Sequence, residues 1–90
     1  MNNERRKEIA KLAELLSDMT AKLDDIKSEL ETFAEEEQEK FDNLSEGLQA
    51  SERGQSYEAA AGALQETVYN VESAISEIEQ ALSSLETAGE

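Results

Sequence analysis

From Ile9 onward, apolar residues recur at Ile9, Leu12, Leu16, Met19, Leu23, Ile26, Leu30 and Phe33, with gaps that alternate between three and four residues. Charged and polar residues fill most of the intervening positions. Four consecutive heptads of this kind predict a long helix packed along one stripe, the sequence form of a coiled coil. The next two ladder positions are Glu37 and Lys40, so the ladder is expected to break there, with Phe41, Leu44 and Leu48 carrying the apolar pattern into a different geometry. A second ladder runs Tyr57, Ala61, Leu64, Val68, Val71, Ile75, Ile78, Leu82 and Leu85, again in fours and threes.

Between the ladders, Asp42 to Ser56 holds the first two glycines, Gly47 and Gly54, and four candidate caps, Asn43, Ser45, Ser51 and Ser56. The chain is expected to turn here, with Ser51 or Ser56 opening the second helix. Ser45 followed by Glu46 would start a short helical turn, with Leu48 pointing into the end of the core. Two helices of about 35 residues, each roughly 52 Å long, joined by a connection of moderate size, favour an antiparallel return. The expected fold is all-α: one domain over residues 1–90, a coiled-coil-like helical hairpin with helix one at about 4–41, the connection at about 42–51 and helix two at about 52–87.

A lone pair of helices covers each ladder residue on only part of its surface. At about 1.5 kcal/mol of conformational entropy per ordered residue, that is a thin core for 90 residues. Small residues also recur every seven beside the ladders: Ala13, Thr20 and Ala34 (with Lys27) on helix one, and Ala60, Thr67, Ala74 and Ala81 on helix two. Small flanks allow close helix approach. Both features point to a homodimer that forms a four-helix bundle.

Composition narrows the chemistry. There is no Cys and no His, so no thiolate nucleophile, imidazole base, disulfide or zinc site of the usual kind can be built. Clustered carboxylates lack the loop spacing of a calcium site, and a slender bundle lacks the cleft that paired catalytic acids need. The expectation is therefore no enzyme, no catalytic residues, no cofactor and no metal. Of the four aromatics, Phe33 and Tyr57 fall on the ladders, where core packing is expected. No apolar run is long enough for a membrane span or a secretory leader, which suggests a cytoplasmic protein.

Charge is distributed unevenly. The net charge is −14, yet residues 1–27 hold six bases and six acids, so the whole excess lies beyond them. The densest run is Glu29 to Asp42. Arg5, Arg6 and Lys7 sit at a helix N-terminus, where the backbone dipole disfavours cations. Glu77, Glu79 and Glu86 of the returning helix are expected to offset them, and direct nucleic-acid binding is disfavoured.

The connection reads Phe41-Asp42-Asn43-Leu44-Ser45-Glu46-Gly47-Leu48-Gln49-Ala50-Ser51-Glu52-Arg53-Gly54. It resembles a segment of small acidic helical proteins of bacteriophages and other bacterial mobile elements. In those proteins an acidic run, Asp-Asn-Leu, Leu-Gln and Ser-Glu-Arg-Gly recur between amphipathic helices, and proline often stands at the position of Ser45. The resemblance covers some twenty residues and implies a phage-like origin. Arg53 is expected to close the corner by pairing with Asp42 or Glu46. The functional expectation is a non-enzymatic protein that binds and modulates, by inhibition, a bacterial host or defence protein by competing for its basic, nucleic-acid-binding surface. The contact would be Glu35, Glu36, Glu37, Glu39, Asp42 and Glu46. The alternative is a structural dimerisation or scaffold protein whose acidic face has no specific target.

Overall fold

A computed structural model describes all 90 residues as helices and short connections, without strands. Helix α1 runs Asn3–Asp42, a single helical turn α2 spans Glu46–Gln49, and α3 runs Glu52–Ala88. Asn2 caps α1, its side-chain oxygen accepting the Arg5 N–H at 2.8 Å, and Glu4 in the first turn complements the helix dipole. Ser51 caps α3 in the same way, accepting from the Gly54 N–H at 3.3 Å. Of the two candidates for that role, Ser51 rather than Ser56 opens the second helix.

The two long helices lie antiparallel along a rod of 68 × 15 × 13 Å. Arg6 reaches the carbonyl of Glu90, Lys27 meets Glu72, and Lys40 lies over the ring of Tyr57. Each step up α1 is thus matched by a step down α3, which is the expected hairpin. No helix is long and apolar enough to cross a membrane.

The helices use their ladders differently. All nine ladder positions of α3 are buried or half-buried. On α1 the half-buried or buried positions form a row of Ile9, Ala13, Leu16, Thr20, Leu23, Lys27, Leu30, Ala34, Glu37 and Phe41, with half-buried Gln38 beside it. This row also alternates fours and threes, but it shares only alternate members with the expected ladder. Leu12, Met19, Ile26 and Phe33 are turned outward, each between 46% and 54% exposed. The cause is steric: Ala13, Thr20 and Ala34 let α3 approach over that side of α1. The small flank of α1, expected to face a second copy, instead packs inside the hairpin, and Phe33 is not a core residue.

The ladder break expected at Glu37 is also absent. The inward row passes through half-buried Glu37 to Phe41 in unbroken register and α1 continues to Asp42, while half-buried Leu44 lies in the turn beyond it. Only Ala34, Gly54, Ala61 and Ile75 are buried, so the core is a seam with few enclosed side chains.

Candidate functional site

Three features outside the seam were candidates for function: the corner, the acidic turn end and the outer row of α1. The corner is built from hydrogen bonds of the chain to itself. The Gln49 side-chain amide donates to the carbonyls of Phe41 at 3.3 Å and Leu44 at 3.2 Å, tying α2 to the last turn of α1 and to the turn beyond it. The Ser51 hydroxyl donates to the carbonyl of Leu48, and the Ser51 N–H donates to the same oxygen at 3.1 Å.

Gly54 is buried beneath this turn. A Cβ there would lie 2.3 Å from the Gln49 oxygen and 2.5 Å from the Leu48 oxygen, closer than any side chain tolerates. Its backbone is ordinary helix, so close approach is what demands glycine. Gln49, Ser51 and Gly54 of the Phe41–Gly54 segment therefore have a folding role. Two expectations fail here. Leu48 is 52% exposed, with Gln49 rather than Leu48 closing the end of the hairpin. Arg53 is exposed and makes no ion pair; Asp42 instead accepts from the Gln38 amide at 3.0 Å.

The acidic residues divide. At 100° per residue, Glu35, Glu39 and Asp42 fall within a sector of about 60° on the exposed side of α1. Glu36 is exposed on a different side, and Glu46 is exposed on α2. Glu37 is set apart: it is half-buried in the inward row and accepts from Lys40 at 2.9 Å. That hydrogen bond, reinforced by the charge of Glu37, holds the Lys40 ammonium above the ordinary lysine range. No three carboxylates converge to hold a metal ion. A shallow groove of about 180 Å³ between the helices is lined by Glu31, Ala34, Glu35, Gln65 and Val68, too small to enclose a typical small-molecule ligand.

Along the rod, residues 23–74 carry 14 acids and 3 bases, whereas residues 1–22 with 75–90 carry 8 acids and 5 bases. The turn half thus holds −11 of the −14. At the open end, Arg5 pairs with Glu8 at 3.3 Å and Arg6 donates to the Glu90 carbonyl. Neither meets Glu77, Glu79 or Glu86, the residues expected to offset them.

The outer row of α1 is the feature that ladder spacing alone did not separate from the core. Leu12, Met19, Ile26 and Phe33 follow one another at intervals of seven, with Leu15, 58% exposed, beside them. The signal that could have found it was the small-residue flank: Ala13, Thr20 and Ala34 mark the side where a helix fits most closely.

No protein-family model, curated protein or solved structure matches this chain significantly.

Proposed function

We propose that this chain is a non-enzymatic, acidic interaction protein of phage or mobile-element type. It acts as a homodimeric four-helix bundle that occupies a basic, nucleic-acid-binding surface on a bacterial protein and so modulates it. The observation that carries the reading is the concentration of charge on a narrow rod: 14 net negative charges over 68 Å, with −11 in the turn half. One rod carries about one charge per 5 Å and a side-by-side pair about one per 2.4 Å, against about one per 1.7 Å of duplex DNA. A paired rod approaches the charge density that a basic groove is built to accept.

Glu35, Glu39 and Asp42 share an exposed face, and Glu36 and Glu46 lie close by at the same end of the rod. Glu37 drops out of the contact, because it is committed to Lys40 within the hairpin. The test is capture from bacterial lysate by the immobilised chain. The expected result is a protein retained at low salt, released at high salt and displaced by duplex DNA. Replacing Glu35, Glu36, Glu39 and Asp42 by their amides should abolish capture while helicity persists. Capture that ignores both salt and DNA would overturn the electrostatic reading. The scaffold reading draws on the outer row of α1, an apolar surface suited to assembly whatever the acidic end does.

A further inference from the structure

We propose that a second copy of this chain docks on the outer row of α1 in the reverse direction, about a two-fold axis that crosses the middle of that helix. Leu12 then faces Phe33 of the second copy, and Met19 faces Ile26 of the second copy. The inference rests on the self-association reading above and gives it a surface, an orientation and a register.

Several independent observations select this occupant. The four residues of the row are placed symmetrically about the point between residues 22 and 23, which is also the centre of α1 as it runs from Asn3 to Asp42. A reversed copy therefore meets the row with a row of equal length, and the two α1 helices overlap end to end. A two-fold contact of this kind is self-complementary by construction.

Direction follows from charge. Two copies aligned the same way would set the −11 half of one beside the −11 half of the other. Reversal sets each −11 half beside a −3 half, and brings Arg5, Arg6, Lys7 and Lys11 to the level of the Glu29 to Asp42 run of the second copy.

Position around the helix agrees. At 100° per residue the outer row lies about 80° from the row that packs on α3, close to the angle between two neighbours of one helix in a square four-helix bundle. Area is sufficient: five side chains about half exposed leave on the order of 500 Å² of apolar surface per copy, or roughly 1,000 Å² for the pair, where specific interfaces begin. The face of Glu35, Glu39 and Asp42 points away from the outer row, so it stays open in the dimer.

The chain has no cysteine, which permits a direct test of register. Leu12→Cys and Phe33→Cys chains would be oxidised separately and as an equal mixture, with circular dichroism confirming helicity. The mixture is expected to cross-link between unlike chains, while each variant alone does not, because like positions are some 32 Å apart in a reversed pair. Met19→Cys mixed with Ile26→Cys repeats the test nearer the axis. Light scattering on the unmodified chain should give twice 9.9 kDa, and Met19→Lys with Ile26→Lys should return it to 9.9 kDa with helicity retained. Cross-linking of like variants, or of neither mixture, at a mass of twice 9.9 kDa would overturn this geometry and leave self-association standing. An unmodified mass of 9.9 kDa would remove both.

Discussion

Helices α1 and α3 have nearly the same length and carry ladders of the same spacing, yet α3 turns its whole ladder toward its partner while α1 turns only half. Ladder spacing reports that a helix has an apolar sector; it does not report which edge of the sector a neighbour covers. On α3 the positions just outside the ladder include Thr67, Ala74 and Ala81, so a single stripe is the only large apolar surface to bury. On α1 the small residues lie to one side of the Ile9–Leu16–Leu23–Leu30 row and the large ones to the other. The hairpin takes the small side, where backbones approach closely, and the large side is left over.

The sharpest break of this comparison uses one isoleucine from each helix. Ile75 on α3 is 8% exposed and Ile26 on α1 is 46% exposed. Ile75→Ala should cost about 2–4 kcal/mol, measured by urea unfolding at low protein concentration. Ile26→Ala under the same conditions should cost under about 1 kcal/mol, since it surrenders little buried surface. Raising the protein concentration should widen the loss at Ile26 and leave that at Ile75 nearly unchanged, because only the outer row gains cover on association. Equal costs at all concentrations would mean that the two ladders are not used differently.

Next in size are two glycines on α3. A Cβ at Gly54 collides with the backbone of the corner, whereas one at Gly62 meets nothing within 4 Å. Gly54→Ala should therefore destabilise by about 1–3 kcal/mol, and Gly62→Ala should stabilise by up to about 1 kcal/mol, as expected for an exposed helix position. Opposite signs for one substitution in one helix would fix the corner as a packed element that α3 alone must accommodate.

These glycines also show how far a sequence can be read. Two helices and the reversal between them followed from periodicity, because burying a stripe repeats along the chain and leaves a repeating record. Ser51 was recognisable as a cap because its role is local. The purpose of Gly54 was not recognisable, because a close approach of two backbones leaves no periodic trace. Ion pairing across the hairpin was equally illegible. Arg53 stays unpaired and Arg5 and Arg6 pass by Glu77, Glu79 and Glu86, since surface partners are chosen by rotamer and register at a scale below that of the pattern. The acidic turn end was visible as composition, but the withdrawal of Glu37 from it depended on which row of α1 faces α3.

The end of α1 differs from that of α3 in the side-chain hydrogen bonds added to it. Both ends carry the same backbone closure, the Asn43 N–H to the Glu39 oxygen at 2.9 Å and the Gly89 N–H to the Leu85 oxygen at 3.0 Å, but only at α1 does a side chain, Gln49, add donors to the Phe41 and Leu44 carbonyls. Gln49→Ala should cost about 1 kcal/mol, and amide hydrogen exchange should quicken in the last turn of α1 but not in that of α3.

The smallest expected effect lies in the inward rows themselves. The row on α3 carries no charge, while the row on α1 includes Lys27, whose side chain is 26% exposed and pairs with Glu72 at 3.4 Å and with Glu31 at 3.9 Å. Partial exposure and salt screening limit such pairs to about 0–1 kcal/mol. The apolar stem of Lys27 also covers part of the seam. Lys27→Ala, which loses stem and charge, should destabilise by about 1 kcal/mol, and Glu72→Gln, which loses only the charge across the hairpin, by under about 0.5 kcal/mol. High salt should shrink the Glu72 effect and leave most of the Lys27 effect in place. If salt removed both equally, the Lys27 stem would contribute nothing, and the seam of α1 would be interrupted at its centre rather than continuous from Ile9 to Phe41.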